Sequence, residues 1–93
     1  MSETCSAPAV AVRFLLDADP EPGLLPRVLE PFAKRGLVPH RMWSHAGGGT
    51  MHVEVALDDA PSEAVHLIEG NLNQIVGVRR VFLQRREAML QAA

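Results

Sequence analysis

The sequence predicts an α+β fold in the order βαββαβ, with a four-stranded antiparallel sheet and two helices on one face. This is the split ferredoxin-like arrangement. Three observations predict it. Val10, Val12, Phe14 and Leu16 alternate at period two, as a half-buried strand does, and Leu25, Val28, Leu29 and Phe32 then recur at helical spacing. Two alternating segments flank Gly47-Gly48-Gly49, which reads as a hairpin turn. A second helical stripe, Ala64, Val65, Ile68 and Leu72, precedes a last alternating segment.

The first strand covers about Ala9 to Leu16, after a leader of residues 1–8 that reads as flexible. Arg13 interrupts its odd positions, so one face is core and the other half exposed. The first helix runs from about Leu24 to Arg35 and stops before Gly36 in a glycine C-cap. Pro26 fits its first turn, where the missing N–H costs nothing. Pro31 in mid-helix removes the bond to the Arg27 carbonyl, a loss of roughly 3 kcal/mol on general scales, and predicts a kink or a break near Glu30.

The second strand, about Leu37 to His45, contains Pro39 and is therefore expected at a sheet edge. The third, Thr50 to Leu57, places Met51, Val53, Val55 and Leu57 on one face and His52, Glu54 and Ala56 on the other. Asp58-Asp59-Ala60-Pro61-Ser62-Glu63 reads as a helix start, with the helix continuing to about Leu72. Gly70 weakens its last turn by about 1 kcal/mol relative to alanine. After Gly77 the fourth strand, Val78 to Gln84, alternates Val81 and Leu83 with Arg80 and Phe82, and is the other expected edge. One domain over residues 9–84 results, followed by a tail, residues 85–93, that reads either as helix or as disordered chain.

With 93 residues the chain buries only a modest core, which oligomerisation would help to stabilise. A hydrophobic content of 47% indicates a globular protein. A net charge of −2 and only 4% aromatic residues exclude nucleic acid as the expected partner, since neither a basic stripe nor a base-stacking platform is present. No apolar run approaches the ~20 residues of a membrane span, so no membrane partner is expected. The single cysteine, Cys5, has no internal partner, which suits a cytoplasmic location.

The candidate site is the turn Asp17-Ala18-Asp19-Pro20-Glu21-Pro22-Gly23. A glycine opening a helix sets no Cβ in front of the first unpaired amides, where a small anion can approach them. The alternative is a tight turn with no ligand. Asp17, Asp19 and Glu21 lack the length and pattern of a calcium loop and any nucleophile partner, and read as a solvated turn with Asp19 or Glu21 capping the helix.

His40, His45 and His52 fall on strands two and three, but His40 and His45 differ by an odd number and point to opposite faces, so no metal site is expected. His66 lies off the buried helix stripe. Trp43 either anchors a subunit contact or is partly buried within the monomer. Arg79, Arg80, Arg85 and Arg86 read as a solvated edge, with an anion patch as the alternative. No cofactor is expected, and no catalytic constellation is present.

The turn, the helix Arg27-Val28-Leu29-Glu30-Pro31-Phe32-Ala33-Lys34-Arg35-Gly36 and the element order resemble an ACT domain. Arg27-Val-Leu with Phe32 and Arg35-Gly36, then Val65-His-Leu-Ile and Asn71-Leu-Asn-Gln-Ile-Val-Gly-Val, are similar to the short regulatory subunit of acetolactate synthase. That resemblance covers roughly residues 9–84. It implies a homodimer with a small amino-acid effector held at the subunit interface by Pro22, Gly23, Leu24 and Leu25. The interface itself would fall at Val38, Pro39 and Trp43. It also implies a partner, the catalytic large subunit, in branched-chain amino-acid synthesis.

Three positions depart from the valine-responsive pattern: Pro20 stands where an asparagine is common, and Val38-Pro39 where an asparagine-isoleucine pair is common. The expected function is therefore a non-catalytic regulatory module that does not answer strongly to valine. The alternatives are a stand-alone amino-acid sensor and, as a third class, a small enzyme. The enzyme would need a polar pocket between helices and sheet, where this sequence is apolar.

Overall fold

Strand β1 (Ala9–Ala18) runs through the middle of the sheet in the computed structural model of the chain, which describes residues 9–87. It pairs antiparallel with β3 (Thr50–Pro61) on one side and β4 (Val78–Glu87) on the other. Strand β2 (Arg41–Gly47) adds antiparallel to β3, giving the order β2-β3-β1-β4. Helices α1 (Leu24–Ala33) and α2 (Ser62–Asn73) lie together on one face, as the element order requires. The expected βαββαβ fold is the one observed, with β2 and β4 as edges.

The core lies between that face and the helices. Val12, Phe14 and Leu16 of β1 and Val53, Val55 and Leu57 of β3 meet Leu24, Val28 and Phe32 of α1 and Val65, Ile68 and Leu72 of α2. Phe14 and Phe32, fully buried, pack edge to face with centroids 5.3 Å apart and planes at 80°. The buried core contains no polar or charged residue among those described. No described helix is long and apolar enough to cross a membrane.

Helix α1 is not broken at Glu30. Pro31 sits inside it with its ring buried, so apolar burial offsets the missing bond to Arg27. The helix closes as expected at Gly36, whose φ of 71° is left-handed. Gly36 N–H donates to Ala33 O at 3.0 Å and Leu37 N–H to Phe32 O at 3.0 Å, the paired bonds of a Schellman ending.

Strand β2 starts at Arg41, not at Leu37, and Pro39 precedes it. The edge position is correct, but the proline takes no ladder bond away. Ladder-like pairing begins with His40 N–H to Ala56 O at 3.0 Å. The hairpin turns on Gly48 and Gly49, whose φ values of 62° and 80° suit the two-residue turn that matches strand twist.

Strand β3 continues past Leu57 to Pro61, so Asp58-Asp59 is not the helix start; α2 begins at Ser62 behind Pro61. The reason is tertiary. A register shift opposite Val10–Val12 inserts an extra residue in β3, and Ala60 then returns fully buried to the core. Pairing with β1 wins over the local acidic turn signal. Strand β4 likewise runs on to Glu87, beyond the expected Gln84. The leader, Cys5 and the tail beyond residue 87 lie outside the described residues.

Candidate functional site

The β1–α1 turn is built by three backbone bonds. Asp19 N–H donates to Gly77 O at 2.7 Å, Glu21 N–H to Asp19 O at 2.9 Å and Leu24 N–H to Glu21 O at 3.1 Å. Gly23 is the N-cap, with φ −88° and ψ 1°, and no side chain caps the helix. The expected cap by Asp19 or Glu21 is therefore not made. With Pro22 and Pro26 lacking N–H groups, the amides of Gly23 and Leu25 are left without a backbone acceptor among the described residues.

The backbone at Gly23 is ordinary, so glycine is not required there for its conformation. What it supplies is space, which Arg27 occupies from one turn along. A Cβ placed on Gly23 would stand 3.5 Å from the Arg27 guanidinium. Of the expected ligand residues, Pro22 and Gly23 are exposed, Leu25 is half-buried, and Leu24 sends its side chain wholly into the core. Leu24 can thus face a ligand only through its backbone.

The acidic residues of the turn are not simply solvated. Asp19 Oδ1 accepts from Arg79 Nε at 2.8 Å and forms an ion pair with Nη2 at 2.6 Å. The same guanidinium donates to Thr50 Oγ1 at 2.9 Å and to Gly49 O at 3.0 Å, tying the turn to the β2–β3 hairpin. Asp17 meets His52 Nδ1 at 2.7 Å and Arg80 Nη2 at 3.2 Å. Arg79 and Arg80 are therefore partners of the acidic turn and not free edge charges. Among the described residues Arg85 reaches towards Ser62 O, at 3.5 Å. Sequence reading missed these pairs because they join residues 60 positions apart, in the case of Asp19 and Arg79.

The three residues expected at an interface do not gather into one patch. Val38, 85% exposed, and half-buried Pro39 precede β2, at the end of the sheet away from the Gly23 turn. Trp43 lies in mid-strand, 53% exposed, with its ring stacked on His45 at 6.1 Å. Every residue of β2 is exposed, because the helices cover the inner strands and leave this edge bare.

His45 and His52 stand opposite each other across the hairpin, yet the described residues form no group of three ligands fit to hold a metal. Between the C-terminal halves of the two helices a groove of about 530 Å³ is lined by Arg27, Glu30, Lys34, Asn71, Ile75 and Val76, among others. Asn71 Oδ1 is buried at its wall without a hydrogen-bond partner among the described residues.

This constellation contains no nucleophile with a base to activate it, and its polar groups join loops to one another. The chain matches the family described as ACT-like domain over residues 5–90 and belongs to that family.

The fold is shared with the ACT domain from GTP pyrophosphokinase of Chlorobium tepidum, with a TM-score of 0.70 and 10% identity over 82% of this chain and 99% of that one. It is also shared with the regulatory subunit of aspartate kinase from Thermus thermophilus in its ligand-free form. There the TM-score is 0.59 and the identity 18%, over 86% of this chain and 57% of that one. No curated protein sequence is a match.

Proposed function

We propose that this protein is a regulatory subunit that pairs with a second copy through β2, holds a small amino-acid effector at the Gly23 turn, and acts on a separate biosynthetic enzyme. The observation that carries this reading is the β2 edge, exposed along its whole length with a half-exposed tryptophan at its centre. An unpaired strand edge is a template for another strand. Antiparallel pairing of β2 with its copy is twofold and self-complementary. It would set Arg41 of one chain near Gly47 of the other, and so bring the partner's Val38 and Pro39 towards the hairpin end where Gly23 lies.

The chemistry of the turn supports a carboxylate there. The amides of Gly23 and Leu25 and the Arg27 guanidinium offer donors, and Arg79 neutralises the aspartate that would repel it. For the enzyme partner we favour the catalytic subunit of a thiamine-dependent acetolactate synthase, in branched-chain amino-acid synthesis. The motifs Val65-His-Leu-Ile and Asn71-Leu-Asn-Gln-Ile-Val-Gly-Val support that choice. Co-purification with that large subunit, and a rise in its activity on mixing, test the assignment; absence of both rejects the enzyme partner.

The amides at Gly23 and Leu25 equally favour a second reading, a stand-alone amino-acid sensor with no enzyme partner. Thermal shift across the twenty amino acids, read beside the co-purification, decides this: effector binding without an enzyme partner is the sensor. Saturable stabilisation by one of them, lost in Gly23→Val, supports effector binding at the turn. A flat response to all twenty removes it.

A further inference from the structure

On the face of the sheet away from the helices, strand register lays out three rows of side chains. At the hairpin end His45, His52, Asp17 and Arg80 stand abreast; next come Trp43, Glu54, Leu15 and Phe82; then Arg41, Ala56, Arg13 and Gln84. The first row neutralises itself, since Asp17 takes both His52 and Arg80. The third does not. Arg41 and Arg13 both face Ala56, and no carboxylate stands opposite either one. Glu54, from the second row, forms an ion pair with Arg13, Oε2 to Nη1 at 3.5 Å, whereas Arg41 makes no ion pair among the described residues. Asp58 is turned towards His40, at 3.6 Å.

The floor between the two arginines is small. Ala56 is 2% exposed, and with Ala11 it bottoms an open concavity of about 640 Å³ whose walls include Arg13, Arg41, Arg85, His40, Gln84 and one carboxylate, Asp58, which is held towards His40. Two like charges set either side of one alanine, roughly 10 Å apart across two strand spacings, repel unless something negative lies between them. Guanidinium forks match the paired oxygens of phosphate and carboxylate groups, and the Gln84 amide adds a neutral donor.

We infer that this concavity is a binding site for a small polyvalent oxyanion, seated over Ala56 between Arg13 and Arg41. It lies on the opposite side of the sheet from the helices and is distinct from the effector turn at Gly23. The ligand carries two anionic groups, or one multivalent group, so that each guanidinium takes a share of the charge.

Isothermal titration of the full chain at low ionic strength, with inorganic pyrophosphate and with citrate, tests the site. Saturable binding of at least one probe is expected. Affinity should fall about tenfold in Arg41→Gln and vanish in the Arg13→Gln, Arg41→Gln double variant. Gln84→Glu, which puts a carboxylate opposite Arg13 while keeping both arginines, should weaken binding as well. Lys34→Gln, on the helix side and outside the effector turn, should leave it unchanged.

Pyrophosphate preferred over citrate assigns a phosphate-bearing ligand; the reverse assigns a polycarboxylate. Circular dichroism confirms that each variant is folded. No saturable binding of either probe at millimolar concentration overturns the proposal. So does binding that folded Arg13→Gln and Arg41→Gln variants leave intact, or that Lys34→Gln weakens equally.

Discussion

Arg79 Nε stands 2.8 Å from Asp19 Oδ1, and its other two nitrogens reach Thr50 and Gly49. One side chain at the start of β4 thereby holds the end of β1 and the tip of the β2–β3 hairpin in register. Three connections that meet at one end of the sheet are fixed by a single planar group whose fork geometry matches its acceptors.

Replacing Arg79 with glutamine should loosen that end. The pair is roughly half exposed, so solvent screening limits the loss to about 1 kcal/mol. Urea unfolding of Arg79→Gln, Asp19→Asn and the double variant measures the coupling. Hydrogen exchange should show lower protection in the hairpin around Thr50, with the inner strands unaffected.

Truncating Phe32 should be far more damaging. It is 1% exposed and carries the edge-to-face contact with Phe14, so Phe32→Ala is expected to destabilise by about 3–5 kcal/mol. For a domain this small that approaches the whole stability. Phe32→Leu keeps most of the volume and should lose less, about 1–2 kcal/mol. Denaturant midpoints compare the two.

Two glycines around the site should behave in opposite ways. Gly23 has ordinary dihedrals and open space up to a flexible arginine, so Gly23→Ala should leave stability unchanged or raise it by about 0.5 kcal/mol. Gly77 has φ 102°, a left-handed backbone that an added Cβ strains, so Gly77→Ala should destabilise by about 1–2 kcal/mol. Thermal melts of the two variants check the sign in each case.

Trp43→Glu addresses the proposed pairing of two copies. The side chain is half exposed, so the isolated fold should be unaffected, while a charge at the centre of β2 should weaken association about 30-fold. Sedimentation velocity over a concentration series reads the change. An unaltered association constant would place the subunit contact elsewhere.

Periodicity and turn chemistry determined most of the architecture. The alternation of Val10 to Leu16, the stripe Val65, Ile68 and Leu72, the glycine hairpin and the Gly36 cap all rest on local geometry, which a sequence states directly. The expectations that failed were those in which a local signal met a long-range partner. Pro31 kept its helix because its ring found a buried place, and Asp58-Asp59 stayed in a strand because Ala60 was drawn back into the core against β1.

The site divides along the same line. The sequence by itself singled out the Gly23 turn, since a strand-to-helix glycine leaves amides open wherever it occurs. Only the tertiary structure decided what surrounds it: Arg27 laid over the glycine, and Asp19 neutralised from β4. It also set Arg13 and Arg41 either side of one alanine, on strands β1 and β2, which β3 separates in the sheet. Charges are compensated by whatever folding brings within a few ångströms, and chain order carries no record of those distances.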